Sequence, residues 1–301
     1  MIYIINVINY KETFLKECPR GEIGRHKGLK ILAHWECQFE SGRGHHKLMK
    51  IHFAIDKTVK ADASRRNILK KYSNHSPQKS DVIVVVGGDG FMLSSLKKYQ
   101  KFNKPFYGMN RGSFGFLMNK YKSKNIIKSI SKSKPVIISA LQMLAITKNN
   151  IKRRAISINE VSLLRQGRQT ASLKITNNKK TIIRKLICDG VLISTPAGST
   201  AYNLSVNGPI LSLNSKRLAI TPISPFRPRR WKGKVVTLSS TIKIENLSIK
   251  KRPVSAVADN FEVRNVKSVR VSVNPLIKFK VLYDKNNNLN QKIKFEQYKK
   301  R

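Results

Sequence analysis

Acidic residues are scarce in this chain: 16 Asp and Glu stand against 60 Lys and Arg, for a formal net charge of +44. Such an imbalance first suggests nucleic-acid binding. The basic residues are nevertheless spread along the chain among Asn and Ile, the pattern that biased base composition imposes on codons. No helix-turn-helix, zinc finger or RNA-binding motif accompanies them. Nonspecific adhesion to polyanions is expected, and a selected nucleic-acid partner is not. Cysteine is scarce too. Cys18, Cys37 and Cys188 are an odd number with neither CxxC nor Cys/His ligand spacing, which argues against a disulfide framework or a zinc ribbon. Cys188 reads as a small buried apolar residue. Long apolar runs are missing as well: no stretch approaches the ~20 residues of a membrane-spanning helix. The opening MIYIINVI lacks the basic start and the length of a secretory signal. The cytoplasm is the expected compartment, with no membrane partner.

What the chain does have is a run of five Val and Ile residues, Val82 to Val86, followed at once by Gly87, Gly88, Asp89, Gly90 and the apolar segment Phe91 to Leu96. The run suits a strand buried on both faces of a parallel sheet. Glycines directly after it let backbone amides approach a ligand that a Cβ would block, and the amides of the next helix start favour anions. Asp89 would repel a phosphate unless it held Mg²⁺ or took a proton from an attacking hydroxyl, so it points to phosphoryl transfer. A tight strand-to-helix turn with Asp89 as N-cap reads equally from this tetrapeptide.

Two further stretches shift that balance. DGVLISTPAGSTAY, Asp189 to Tyr202, predicts a strand from Gly190 to Thr195 running into small and hydroxylated residues that can cap a helix from about Ala201 to Val206. A second anion or ribose cradle results. AISINEVSLL, Ala155 to Leu164, carries Asn159 and Glu160 inside an alternating apolar run. They read either as a solvated strand edge or as a grip on ribose hydroxyls and an adenine edge, because Glu accepts from hydroxyls and Asn both donates and accepts.

Together these residues resemble the NAD kinases, which transfer the γ-phosphate of ATP to the 2′-hydroxyl of the adenosine ribose of NAD. Gly87 to Gly90, the stretch from Gly108 to Gly112 through Gly115, Phe116 and Leu117, the Asn159 and Glu160 pair, and Asp189 to Asn203 look like that family's signatures in order and spacing. The likeness covers about Met49 to the C-terminus. SPFRPRRW at Ser224 to Trp231 and AVAD at Ala256 to Asp259 are similar to the alphaproteobacterial branch. The resemblance implies Asp89 as general base, Gly87, Gly88, Asp89 and Gly90 as the ATP phosphate loop, and Mg²⁺ with ATP and NAD as the small molecules handled. It implies a dinucleotide site of Asp89, Gly90, Asn159, Glu160, Asp189, Ala197, Thr200, Ala201, Tyr202, Asn203, Leu204 and Ser205. It also implies a homo-oligomer, a dimer or tetramer, whose neighbouring subunit touches the dinucleotide. No protein metal ligands are assigned. Arg227, Arg229 and Arg230, fixed between Pro225 and Pro228, read as a phosphate clamp or as a solvated or interface-pairing cluster. The rival enzyme class is a lipid kinase of the diacylglycerol or sphingosine type, which shares the GGDG loop but lacks TPAGSTAYN.

Three positions depart from the family pattern: Phe91 where Thr is frequent, Leu186 to Cys188 where some relatives carry an Arg, and Asn260 where many have Gly. The last demands either a left-handed Asn or a shifted turn.

Strand and helix signals alternate over residues 49–132, at Lys50 to Ile55, Ala61 to Tyr72, the Val82 strand, the Phe91 helix and Pro105 to Met109. Short alternating strands follow over 133–273, including a hairpin of Ala171 to Thr176 with Thr181 to Ile187. The predicted architecture is therefore an α/β Rossmann-like N-terminal domain plus a β-rich, sandwich-like C-terminal domain. Residues 274–301 hold a strand at Ile277 to Tyr283 and a polar tail that returns to the first domain in related chains. Residues 1–48 sustain no helix or strand period and contain four of the six His. They read as a non-native or disordered extension ahead of a start at Met49.

Overall fold

In the computed structural model, residues 48–113, 115–285 and 292 are described; the expectation for residues 1–48 lies outside them, save Leu48. The chain starts as a parallel βαβ unit. Strand β1 (Ile51–Ile55) leads through α1 (Val59–Leu69) to β2 (Val82–Gly87), and α2 (Asp89–Tyr99) leads to β3 (Phe106–Asn110). β2 pairs in parallel with both β1 and β3, and all six of its residues are buried. A strand covered on both faces by helices has no solvated side, which is why its sequence is continuously apolar rather than alternating. A short α3 (Ile126–Ser131) completes this part.

The remainder is antiparallel. It comprises β4 (Lys134–Thr147), β5 (Lys152–Ser157), β6 (Glu160–Arg165), β7 (Ala171–Asn177), β8 (Lys180–Cys188) and β9 (Gly190–Ser194). After a single helical turn, α4 (Tyr202–Ser205), come β10 (Arg217–Ile223), β11 (Lys234–Thr237), β12 (Ile242–Asn246), β13 (Val254–Ala258), β14 (Phe261–Val263) and β15 (Val266–Tyr283). Six of them form one sheet in the order β11-β10-β9-β6-β13-β14. The others join the parallel strands in a nine-stranded sheet, β1-β2-β3-β15-β12-β7-β8, with β4 paired to β15 and β5 to β4. One core cluster draws Leu173, Ile175, Ile242, Val269 and Val271 from the large sheet and Val161, Leu163, Ile193, Ile220 and Ala256 from the small one. The two sheets are thus layered face to face over a shared apolar interior.

β15 joins the two halves. Its first part pairs with β12, its last residues pair in parallel with β3 through Val281 and Phe106, and β4 runs antiparallel beside most of it. A boundary at 273/274 therefore falls inside one continuous strand, at the register shift between Val273 and Lys278. Asp284 closes the join: it accepts from the Tyr107 hydroxyl at 2.8 Å and pairs with Lys122 at 2.7 Å. No helix among the described residues is long and apolar enough to cross a membrane.

The stretch from Ala155 to Leu164 is not a single strand. It breaks at Ile158 and Asn159, so that β5 belongs to the nine-stranded sheet and β6 to the six-stranded one. Asn159 and Glu160 mark the crossover between the layers.

Candidate functional site

The glycine loop between β2 and α2 sits at the carboxyl edge of the parallel strands, the usual ligand position in open α/β sheets. The N-cap of α2 is Gly88, with no side-chain cap bond, and Asp89 occupies the first helical position. The reading of Asp89 as an N-cap is thereby corrected. Its carboxylate instead accepts from the amides of Phe116 (2.7 Å) and Leu117 (2.9 Å), on the loop after β3. That loop turns at Gly115, whose φ of +76° places it in the left-handed region, where a Cβ would also strike the Asn110 side chain at 2.6 Å. Burial pushes the Asp89 pKa up, opposed by the two amides and by the charge of Lys292. Lys292 Nζ donates to the carbonyls of Gly115 (2.9 Å), Phe116 (3.4 Å) and Met118 (2.5 Å). Phe91, the departure from Thr, packs against the core and touches the space above Gly87, so a structural role occupies that position.

The crossover at Asn159 is held by Asp259. Its carboxylate lies 2.9 Å from the amide of Ile158, 3.0 Å from that of Asn159 and 2.6 Å from the Ser157 hydroxyl. Asp259, at φ +51°, is the left-handed residue of the β13–β14 turn, so the strain anticipated at Asn260 falls one position earlier. On the opposite side, Thr195 Oγ1 donates to the Ile158 carbonyl and accepts from the Gly198 amide, while the Thr195 amide donates to the Asn159 carbonyl. With the backbone pinned on both sides, Asn159 Oδ1 and Glu160 Oε2 are buried without a hydrogen-bond partner. Buried acceptors of this kind are costly unless a ligand supplies the donor. Burial, then the Asp259 charge, raises the Glu160 pKa to about 7.

These elements enclose a cleft of about 310 Å³ lined by Gly88, Asp89, Ser113, Gly115, Phe116, Leu117, Asn159, Ala197, Thr200 and Ala201. The glycine loop, the crossover and the turn after β9 are therefore brought together from residues more than a hundred positions apart. Gly87, Gly90, Glu160, Tyr202, Leu204 and Ser205 flank these residues in sequence without lining the cleft. Asn203 is placed differently. Its amide nitrogen donates to the Ser199 and Pro209 carbonyls and its oxygen accepts from Thr221, so the side chain is spent within the protein. The hydroxylated residues do not cap α4 with side chains; Ser199 instead binds the Leu211 backbone.

Asp189 lies at the far end of β9 from the cleft, paired with Arg165 at 2.5 Å. Arg165, from the neighbouring β6, supplies a guanidinium beside Asp189 although Leu186 to Cys188 carry none. Arg227, Arg229 and Arg230 are exposed, the first two flanking the Phe226 ring, and none lines the cleft. Cys188 is buried and its thiol is pushed up to about 12 by burial. Among the described residues, no group of three His, Cys, Asp or Glu side chains is gathered for a metal ion.

Sequence reasoning passed over Ser113, Lys292 and the anchoring role of Asp259. The turn pair Asp259-Asn260 directly after the apolar segment Val254 to Ala258 is a signal for the last; Lys292 had none beyond its charge.

The family model for the ATP-NAD kinase N-terminal domain matches residues 31–133, and that for the C-terminal domain matches residues 158–275. The NAD kinase of Caulobacter vibrioides is 45% identical over 249 residues, covering 83% of this chain and 96% of its own. That of Brucella suis biovar 1 is 43% identical over 251 residues, covering 83% and 98%. An NAD kinase from Archaeoglobus fulgidus, solved in complex with ATP, superposes with a TM-score of 0.64 at 21% identity, over 82% of this chain and 99% of that one. Yeast NADH kinase complexed with NADH gives 0.66 at 19%, over 82% and 86%. The two structures share the fold; the sequence relatives carry the closer likeness, and the lipid-kinase alternative finds no support among them.

Proposed function

Because this chain belongs to the NAD kinase family, we propose that its cleft presents the adenosine ribose of NAD to Asp89, which takes the 2′-hydroxyl proton as the γ-phosphate of ATP is transferred. The enzyme is a phosphotransferase acting on an alcohol: the bond from O2′ to the γ-phosphorus forms, the bond from that phosphorus to the β,γ-bridging oxygen breaks, and NADP and ADP leave. The observation that carries the base assignment is the carboxylate of Asp89, oriented by two successive amides and raised in pKa by burial within the cleft. A base poised nearer working pH transfers protons more effectively, and a positioned one is worth about 10²–10⁴ in rate.

The other assignments rest on complementary chemistry. The unpartnered Asn159 Oδ1 and Glu160 Oε2 suit ribose hydroxyls, and Thr200 and Ala201, which line the cleft, border the same dinucleotide. Asp189 and its partner Arg165 lie further out, where the remainder of the dinucleotide or a second subunit meets them. The free amides at the start of α2 suit the ATP phosphates, with Gly87, Gly88 and Gly90 admitting them closely. Mg²⁺ would be held largely by the ATP phosphates and water, since no cluster of carboxylates is gathered for it among the described residues and Asp89, the one carboxylate lining the cleft, is assigned to the proton. When bound it neutralises charge developing on the phosphates. A homo-oligomer of two or four subunits, working in the cytoplasm, completes the reading and rests on family membership.

The test is NADP formation from NAD, ATP and Mg²⁺ by the full chain beside Asp89→Asn. The substitution should cut kcat by about 10²–10⁴ with NAD binding little changed. Near wild-type turnover would remove Asp89 as base.

A further inference from the structure

The loop from Gly115 to Met118 is gripped from both sides, by a carboxylate on its amides and an ammonium on its carbonyls. The Gly115 carbonyl and the Phe116 amide belong to one peptide group, and the Phe116 carbonyl and the Leu117 amide to the next. In each group C=O and N–H point in opposite directions. The first therefore accepts from Lys292 Nζ at 2.9 Å and donates to Asp89 Oδ2 at 2.7 Å. The second accepts from the same nitrogen at 3.4 Å and donates to Asp89 Oδ1 at 2.9 Å. The Met118 carbonyl, at 2.5 Å, provides a third acceptor for the three ammonium protons.

A cation at the carbonyl end of a peptide polarises it and strengthens what its N–H donates at the other end. We propose that Lys292 is a positioning residue for phosphoryl transfer, which acts through two peptide groups to fix the orientation of the Asp89 carboxylate and to keep it ionised. This rests on the reading of Asp89 as the base. Lys292 stands 203 positions after Asp89 in the chain, so the link is made only by folding. Its position is electrostatically costly, since burial lowers its own pKa to about 8 against the favourable Asp89 charge. A lysine serving only to anchor the chain could satisfy its head in water instead. Among the described residues, the charged and titratable groups acting on Asp89 are Lys292 and, from β15, the buried Tyr283 hydroxyl.

The experiment is the pH profile of kcat and kcat/KM for NAD in the full chain, for wild type, Lys292→Met, Lys292→Arg and Asp89→Asn. Lys292→Met should move the acid limb upward by about one pH unit and lower kcat about tenfold. KM for NAD should stay within about twofold, because no ribose contact is removed. Lys292→Arg should restore the limb, and adding Lys292→Met to Asp89→Asn should cost nothing further. If Lys292→Met does not fold, Lys292→Gln is read in the same way. A Lys292→Met enzyme with an unmoved acid limb, whether its kcat is intact or its melting temperature falls, overturns the inference and leaves a structural anchor. In that case an inactive Asp89→Asn keeps the base reading. An active Asp89→Asn defeats the base reading itself, and the inference with it.

Discussion

Lys97 Nζ lies 2.7 Å from Asp259 Oδ2, which couples the helix after the phosphate loop to the crossover that carries Asn159 and Glu160. Asp259 is 8% exposed in its side chain and serves two backbone amides and a hydroxyl besides the lysine. Asp259→Ala strands those donors, and a buried unsatisfied donor costs about 1–3 kcal/mol. The expected outcome is a lower melting temperature and a rise of about tenfold in KM for NAD, as the turn loses its frame. Asp259→Asn tolerates the left-handed backbone and keeps one acceptor oxygen, so it should lose less. Lys97→Ala, which leaves the turn bonds intact, should lose least. Thermal melting with steady-state kinetics checks the order.

Gly198 gives a steric test of the same turn. A Cβ there would overlap the backbone of Asn159, which has no flexible end to swing aside. Gly198→Ala should push the turn after β9 away from the crossover, weakening NAD binding by tenfold or more and sparing ATP binding, since the phosphate loop is untouched. Calorimetric titration with each nucleotide separates the two. Equal loss of both would show a global collapse instead.

Much of this site was legible because its pieces are local. The buried run into Gly87 and Gly88, the hairpin of β7 and β8, and the polar pair at Asn159 each have a signature within ten residues. The split of Ala155–Leu164 between two sheets has only a faint signal: the alternation of Ile156 and Ile158 slips by one position at Asn159 and Glu160 before Val161 and Leu163 resume it, and only pairing partners reveal that the slip is a change of layer. Asn203 comes to the dinucleotide site by family resemblance, and its three internal side-chain partners have no signature in the sequence, because an Asn spent inside the protein and one offered to a substrate are the same letter. Arg165 and Lys292 act on Asp189 and Asp89 from distant positions, and charge carries no periodicity that would place them.

The C-terminal join should be sensitive at Asp284. Removing its carboxylate with Asp284→Ala leaves the hydroxyl of the buried Tyr107 and the Lys122 ammonium without that partner. A loss of about 1–3 kcal/mol is expected from denaturant unfolding, with Asp284→Asn losing less because it can still accept from the tyrosine. If β15 also delivers Lys292 to the Asp89 loop, Asp284→Ala should lower kcat more than it raises KM for NAD.

Glu160 ties stability to pH in a direction opposite to an ordinary salt-bridged carboxylate. Its folded pKa of about 7 lies above the ordinary glutamate value of 4.5, so the folded state holds more protons between those values. Stability from this group is present below that window and is lost as pH rises through it. Glu160→Gln, neutral at every pH, should therefore melt higher than wild type at about pH 8 and close to it at about pH 5. Nucleotide binding should run the other way. If the ionised carboxylate accepts from ribose hydroxyls, NAD affinity in the wild type should climb as pH rises through about 7, and Glu160→Gln should bind more weakly with that climb removed. Melting curves and NAD titrations over the same pH series check both slopes. A pH-independent affinity in the wild type would separate Glu160 from the bound ribose.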